Sequence, residues 1–394
     1  MPDDDAVRLL PSTQRIPWFV AAPLVGVTAI VVGALWDISW HSTIGRDTFW
    51  TPAHMVIYFG GVLAGLSCGW AIFRSTFPHV VGVPVSEARG ASVSILGARG
   101  PLGAWVVIWG ALAMLTSAPF DDWWHNAYGL DVEILSPPHS VLAAGIFAIG
   151  LGALMLVASL QNRSAGARAW LSGTLCAYAV GTVLCMAMVF LTEWSFPNSQ
   201  HGGRFYLACC LTYPFYLALA ARSSTARWPA TLAAATSLIL ILSMAWILPL
   251  FPATPLLAPI YNRVDHMVPP VFPPLVIVPA IAFDLLARRN RDQKGLPSPR
   301  VHDWALAVVL GVVFFAVFLA VQWNFSTFLL SPAADNWFFS GGRSFPFFED
   351  VGDFRYRFWH GSLTFGEATW SLLRAVIAAR VGLWCGTALA RVMR

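Results

Sequence analysis

The chain has 394 residues, of which 57% are hydrophobic and only 11% are charged, and it contains 19 Trp and 27 Phe. Soluble domains carry about 25% charged residues, so this composition excludes an ordinary soluble enzyme and indicates lipid as the solvent. The net charge of +4 is small and no basic run is interleaved with aromatic residues, which argues against a nucleic-acid partner. The six cysteines form no Cys-x-x-Cys pair, so neither a disulfide framework nor a thiolate metal site is expected.

Apolar segments of spanning length recur along the chain, since a helical span needs roughly 20 apolar residues. They predict an all-α, polytopic transmembrane helix bundle, because the strands of a membrane barrel are about half as long. The first segment is interpreted as a retained span rather than a signal peptide. Arg374 and Arg380 interrupt the last segment, which could instead lie in the membrane interface. In chain order the predicted spans are 18–40, 51–73, 101–120, 138–160, 170–191, 205–221, 228–250, 268–286, 304–324 and, less securely, 368–389.

Lys and Arg side chains indicate the orientation of these spans. They concentrate in alternate connections, on the side that also holds both termini, and residues 288–300 are one such cluster. By the positive-inside rule that side is cytoplasmic. We therefore expect an integral protein of the plasma (inner) membrane with both termini in the cytoplasm. Most of the histidines then fall at the outer, periplasmic edge: His41, His54, His125, His139, His201, His266 and His360.

The outer end of the first predicted hairpin carries a group of potential metal ligands. Asp37 and His41 are four residues apart, so they share one helix face near the end of the first span. The next span opens with Thr51 as the expected N-cap and Pro52 as the first helical residue, which places His54 in the first turn. Because a short loop joins antiparallel neighbours here, Asp37, His41 and His54 are predicted to converge.

The same pattern returns in the next pair of spans. Asp121 and His125 are again four residues apart, Ser136 is the expected cap before Pro137, and His139 again follows the cap by three positions. The two hairpins therefore form a pseudo-repeat with a second predicted Asp/His/His set. Nearby carboxylates are candidates to hold the imidazole N–H groups of both sets: Asp47, Asp122, Asp131 and Glu133.

Two imidazoles and one carboxylate suit Cu(II), Fe(II) or Zn, and they leave coordination positions open for water, oxygen or a substrate. Ionisable groups at the edge of a bilayer are costly and usually functional. The alternative is that Asp–His hydrogen bonds pin the hairpins together without a metal.

Asp284, near the inner end of its span, is expected to pair with Arg288 and Arg289. Four other outer residues could add ligands, a proton relay or interfacial anchors: Glu193, His201, Asp265 and His266.

At these hairpins the chain resembles the C subunit of the copper membrane monooxygenases, the particulate methane and ammonia monooxygenase family. The stretch from Asp37 to His54 resembles that subunit's W-H-x-T-I-x-R-D-T-x-x-T-P-x-H segment, and the stretch from Asp121 to His139 resembles its N-E-W-G-H…A-P-L-H segment. The resemblance covers residues 18–160 and implies that each Asp/His/His set binds copper, with non-haem iron or zinc as alternatives. The family has Asn where this chain has Asp121, so the second centre would carry an extra negative charge.

The resemblance also implies a domain organisation and a function. Residues 1–165 would be a four-helix metal-binding region like the C subunit, and residues 166–394 an additional membrane region of five to six helices packed with it as one bundle. The chain would be a subunit or relative of an oxygen-activating, copper-dependent monooxygenase (an oxidoreductase) acting on a small apolar substrate. Its partners would be other monooxygenase-type subunits or further copies of itself. Two alternatives stay open: copper handling without catalysis, and a transporter-like protein with structural Asp–His pairs.

Overall fold

A computed structural model gives the fold for residues 16–45, 48–82, 92–128, 136–256, 264–287, 303–341 and 355–392. Within these ranges lie eleven α-helices and one short antiparallel hairpin of two strands. The elements are α1 (Trp18–Thr43), α2 (Pro52–Thr76), α3 (Pro78–Val81), β1 (Val93–Ile95), β2 (Ala98–Gly100), α4 (Leu102–Tyr128), α5 (Pro137–Asn162), α6 (Gly166–Phe190), α7 (Gly203–Ser223), α8 (Pro229–Ile247), α9 (Ile277–Ala287), α10 (Asp303–Leu329) and α11 (Phe365–Val392).

Nine helices in the described part of the chain are long and apolar enough to cross a membrane. This confirms the prediction of an all-α, polytopic bundle. The last of the nine, α11, continues unbroken through both arginines that made this segment ambiguous. Arg374 donates a hydrogen bond to the main-chain oxygen of Leu207, and the Arg380 guanidinium lies over the ring of Trp304. Both charges therefore have partners on neighbouring helices, and α11 has the length of a full span.

The prediction of a continuous helix over residues 268–286 is wrong. Helix α9 begins only at Ile277, and residues 267–275 before it have no regular secondary structure. The cause is the pair of Pro-Pro steps at 269–270 and 273–274, because proline has no N–H and clashes with the preceding helical turn. Gln322 on α10 compensates for part of the missing helical pairing by accepting a hydrogen bond from the main-chain N–H of Leu275.

The segment that contains α9 nevertheless runs the whole length of the bundle. At one end the N–H of Val268 donates to the hydroxyl of Thr43, in the last turn of α1. At the other end the buried carboxylate of Asp284 accepts the N–H groups of Ala230 and Thr231, in the first turn of α8. Irregular backbone is tolerated at membrane depth only where protein or a cavity surrounds it. The segment is therefore a discontinuous crossing, irregular in its first half and helical in its second.

The first four long helices position the candidate ligands. Helix α1 packs along α2 and α4 packs along α5, while α2 also contacts α4 and α1 contacts α5. The β-hairpin joins the C-terminal end of α2 to the N-terminal end of α4, because the hydroxyl of Thr76 in α2 accepts the N–H of Arg99 in β2. The opposite ends of all four helices therefore lie together. Aspartate and histidine side chains from both hairpins are found at that common end.

The remaining helices continue the same bundle. Helix α7 packs closely on α11, α10 packs on α11, and α6 packs on both α5 and α8. Side chains from both parts of the chain belong to one hydrophobic core, from Val20 in α1 to Leu383 in α11. The division of the chain near residue 165 stays a prediction.

Candidate metal centres

The first predicted ligand set forms a compact cluster. Asp37 and His41 lie in the last two turns of α1, and His54 lies in the first turn of α2. The Nε2 atom of His54 is 3.1 Å from Oδ1 of Asp37, and Nε2 of His41 is 3.8 Å from its Oδ2. One ligand atom from each of the three residues lies within 4.8 Å of the others. The carboxylate thus stands between two imidazoles, at a spacing that one metal ion could bridge.

The loop before α2 fixes the orientation of His54. Nδ1 of His54 lies 2.9 Å from the main-chain oxygen of Thr48. Thr51 occupies the N-cap position, as expected, but its hydroxyl accepts the N–H of Thr48 instead of capping the helix. Metal-binding histidines usually donate their second N–H to a carbonyl or carboxylate in this way, which sets the tautomer and the plane of the ring.

This tautomer has an electrostatic consequence. A carbonyl oxygen can only accept, so Nδ1 of His54 carries the proton, and a neutral ring then presents the Nε2 lone pair to Asp37. Oδ1 of Asp37 is buried and has no hydrogen bond from the described residues, although Nε2 of His54 is 3.1 Å away. A lone pair and a carboxylate oxygen at this distance repel each other unless a positive charge lies between or beside them. The geometry therefore calls for a metal ion or for a protonated imidazole.

The second predicted set gathers around Asp121, more loosely. Nε2 of His125 and Nε2 of His139 lie 3.7 and 3.4 Å from Oδ1 of Asp121. The two imidazole rings are almost perpendicular, with centroids 6.4 Å apart. Ser136 caps α5 as predicted, since its hydroxyl accepts the N–H of His139. Three buried polar atoms of this set have no hydrogen-bond partner among the described residues: Oδ1 of Asp121, Nε2 of His125 and Nδ1 of His139.

The predicted supporting carboxylates are only partly placed. Asp122 is exposed, and its main-chain oxygen accepts a hydrogen bond from the side-chain amide of Asn126. That contact lies within α4 and does not involve a candidate ligand. Asp47, Asp131 and Glu133 lie outside the described residues, so their role stays a prediction.

The four further candidate residues, Glu193, His201, Asp265 and His266, do not form one metal-binding group in the described structure, where only the Asp37 cluster brings three ligand atoms together. Glu193 is exposed, and Nδ1 of His266 pairs with the neighbouring carboxylate of Asp265 at 2.9 Å. The ring of His201 is stacked between Trp323 and Phe358, with centroid distances of 3.7 and 3.6 Å. Burial lowers the pKa of His201, and its hydrogen bond to the Trp323 carbonyl opposes this only in part. His201 is therefore a neutral packing residue.

The fold and the clusters together define an integral membrane helix bundle with two aspartate–histidine clusters at one end, the first of which has the spacing of a metal site. Comparison with models of protein families, with curated proteins and with solved structures found no match to this chain. Its function is therefore inferred from the residues themselves.

Sequence reasoning missed the contact that orients His54. The partner is the main-chain oxygen of Thr48, and its place depends on the conformation of the loop before α2. Every residue has such an oxygen, so no side-chain pattern reveals which one will be used. A usable signal was the general rule that a metal-binding imidazole nearly always has a hydrogen-bond partner at its second nitrogen.

Proposed function

We propose that the protein binds copper at the outer face of the plasma membrane and takes part in oxidising a small apolar substrate with oxygen. In this proposal it is a relative of the C subunit of copper membrane monooxygenases. The observation that carries the proposal is the convergence of Asp37, His41 and His54 around a buried carboxylate oxygen that has no hydrogen bond from the described residues. Nitrogen and oxygen donors without a thiolate favour Cu(II), with iron and zinc as alternatives.

Each residue of the centre has a separate part in this proposal. Asp37, His41 and His54 would hold the ion, and a bound copper ion would supply one-electron chemistry and open coordination positions. Thr48 keeps Nε2 of His54 free of a proton through the contact with Nδ1. The ring of Tyr58 lies beside His54, with centroids 6.1 Å apart.

The second centre would use Asp121, His125 and His139 in the same way. Aromatic side chains surround this end of α4, where Trp124 and Tyr128 have ring centroids 4.5 Å apart. Such a surface is suited to an apolar substrate that arrives through the lipid. Other subunits or further copies of the chain would complete an active assembly.

Copper handling without catalysis is the second candidate function. It is favoured by one observation, the 41% exposure of the His41 side chain. A ligand that is open to solvent allows the metal to enter and leave from the outer side. Oxygen consumption in the presence of a reductant separates the two candidates, because the handling protein would bind copper and consume none.

Metal analysis of the purified protein tests the proposal. We expect the wild type to hold copper at both centres, and His54→Ala and His139→Ala each to lose the ion of one centre. The matched control is His79→Ala, because His79 is exposed in α3, beyond the opposite end of α2. Spin-resonance spectra would identify Cu(II). Equal metal contents in all four proteins would contradict the proposal.

A further inference from the structure

The two candidate hairpins share more than their ligands. On the first helix of each hairpin, Asp121 follows Asp37 by 84 positions and His125 follows His41 by the same number. On the second helix, His139 follows His54 by 85 positions. Two glycines in each hairpin obey the same offsets. Gly26 corresponds to Gly110 at 84 positions, and Gly60 corresponds to Gly145 at 85 positions.

These glycines are points of close contact between the helices of each hairpin, and a further glycine pair of the second hairpin, Gly103 and Gly152, meets in the same way. A methyl group built on Gly26 would lie 2.6 Å from the main-chain oxygen of Gly60, and one on Gly60 would lie 2.5 Å from that of Gly26. For Gly110 and Gly145 the corresponding distances are 2.7 and 2.8 Å. Side-chain carbons do not approach a carbonyl oxygen so closely, so only glycine at both positions allows this contact.

The residues packed around the two crossings correspond as well. Gly60 also contacts Ile30, and Gly145 contacts Met114, which is 84 positions after Ile30. Gly26 contacts Ala64 and Gly110 contacts Ile149, which is 85 positions after Ala64. The side chains differ while the contact positions are the same. The crossing is therefore a repeated structural feature with a fixed register to the ligands.

The register matters because the ligands are held at a distance from the crossing. Asp37 is 11 residues beyond Gly26 on α1, and His54 is 6 residues before Gly60 on α2, which is about 16 and about 9 Å of helix. Helical side chains lean toward the N-terminus of their own helix. In this antiparallel pair the side chain of Asp37 therefore leans toward the glycine crossing, and the side chain of His54 leans away from it. The two side chains meet only at one relative position of the helices along their axes and at one distance between those axes.

We propose that the Gly26–Gly60 and Gly110–Gly145 crossings are positioning elements, each of which sets the ligand geometry of one of two equivalent metal centres. The inference rests on the proposed metal binding and extends it to four residues that touch no ligand. The buried Oδ1 atoms of Asp37 and Asp121, which no described residue hydrogen-bonds, are a second observation at the places where the two hairpins direct their ligands. Each hairpin is then an independent metal-binding unit.

Copper(II) titration tests the positioning role one centre at a time. A His139→Ala background reports the first centre alone, and a His54→Ala background reports the second. We expect Gly60→Ala to weaken copper binding at the first centre by about tenfold or more, the scale of lost supporting contacts, and to leave the second unchanged. Gly145→Ala should do the reverse. Gly69→Ala is the control on α2, because a methyl group there meets no atom within 4 Å.

A measurement without metal separates this inference from the proposed function. In Asp37→Cys with His54→Cys, a short bis-methanethiosulfonate reagent joins the two ligand positions in the absence of any ion. We expect the crosslinking yield to fall several-fold when Gly60→Ala is added and to stay unchanged with Gly145→Ala. If the wild type bound no copper, the proposed function would be wrong. The crosslinking yield would still show whether the glycine crossing positions residues 37 and 54.

Three results would overturn the inference. The first is an equal loss of copper at both centres from either glycine variant. The second is a crosslinking yield that Gly60→Ala does not change. The third is a failure to fold of all four alanine variants, Gly26→Ala, Gly60→Ala, Gly110→Ala and Gly145→Ala. The crossings would then be required for folding of the whole bundle rather than for the geometry of one centre each.

Discussion

At the scale of single residues, the two clusters differ in compactness rather than in the distances from imidazole to carboxylate, which are 3.1 and 3.8 Å at Asp37 and 3.4 and 3.7 Å at Asp121. Among the described residues, only Asp37, His41 and His54 bring three ligand atoms within 4.8 Å of one another. We expect Asp37→Asn to weaken copper binding at its centre about 10- to 100-fold, since the charge that holds the two imidazoles in place is lost. Asp121→Asn should have a smaller effect, because the ligand atoms around Asp121 do not converge as closely as those around Asp37.

Competition with a copper chelator of known affinity measures both effects. The control is Asp122→Asn, which removes the same charge from an exposed side chain one position from Asp121. Equal weakening by Asp37→Asn and Asp122→Asn would show that the net charge of this end, rather than a particular carboxylate, governs binding.

The convergence of the candidate ligands could be predicted because it depends on the types and spacing of side chains. The four-residue interval between Asp37 and His41 and the Thr-Pro start of α2 were sufficient to predict that His54 joins them. The relative tightness of the two clusters could not be predicted, since it depends on helix separation to within an ångström. The glycine crossings that set this separation involve main-chain atoms, and Gly26 and Gly60 are 34 positions apart in the sequence.

At the scale of elements, Asp284 joins α9 to α8. Its carboxylate is 1% exposed and accepts two main-chain N–H groups, from Ala230 and Thr231. We expect Asp284→Ala to lower the free energy of unfolding by roughly 2–5 kcal/mol, because two buried donors at a helix N-terminus lose a charged acceptor. Thermal unfolding in detergent measures the loss. Asp265→Ala is the control, since its side chain is 99% exposed, and it should change stability little.

The same element shows where hydropathy misleads. Residues 268–286 are apolar enough to resemble a helical span, yet the first half of the segment has no regular secondary structure. The proline pairs signalled the break, and the sequence pattern did not reveal that Gln322 would receive the freed N–H of Leu275. Asp284 was expected to pair with Arg288 and Arg289, which lie outside the described residues. Its helix-capping contacts are 53 and 54 positions away, beyond the reach of local patterns.

The segment that carries Phe358 packs against α10 through His201. The His201 ring is stacked between Trp323 and Phe358, and the main-chain oxygen of His201 accepts the N–H of Leu363. Because burial lowers the pKa of His201 in the folded protein, the unfolded chain takes up the proton first as the pH falls. The stabilisation is therefore complete above the ordinary value of about 6.5 and is lost as the pH falls through the lower, folded pKa.

Thermal stability measured from neutral to acidic pH tests this contact. We expect the wild type to lose stability on acidification more steeply than His201→Phe, which keeps an aromatic ring in the stack and cannot be protonated. Parallel pH profiles for the two proteins would exclude a titrating His201 as the cause of acid sensitivity.

At the scale of the whole molecule, composition and span length were sufficient to predict the fold class. Nine long apolar helices within the described ranges follow from the 57% hydrophobic content and its arrangement in runs. The packing order of the helices could not be predicted in the same way. Helix α7 ends at Ser223 and packs against α11, which begins 142 positions later at Phe365. No pattern in either helix alone indicates that partner, because lipid tails are as apolar as the side chains that pack between helices.

Metal binding should stabilise the whole bundle, because the ligands of each centre come from two different helices and meet only in the folded chain. A ligand that binds only the folded state stabilises it by about 2.7 kcal/mol at a free concentration of about 100 times its Kd. We therefore expect excess copper to raise the Tm of the wild type and a chelator to reverse the rise.

His54→Ala and His139→Ala should each keep part of the shift, because the two hairpins bind separately, and the double variant should show none. A full shift in the double variant would place the stabilising ion elsewhere. An absent shift in either single variant would mean that the two clusters bind as one unit, which the separate Asp37 and Asp121 carboxylates argue against.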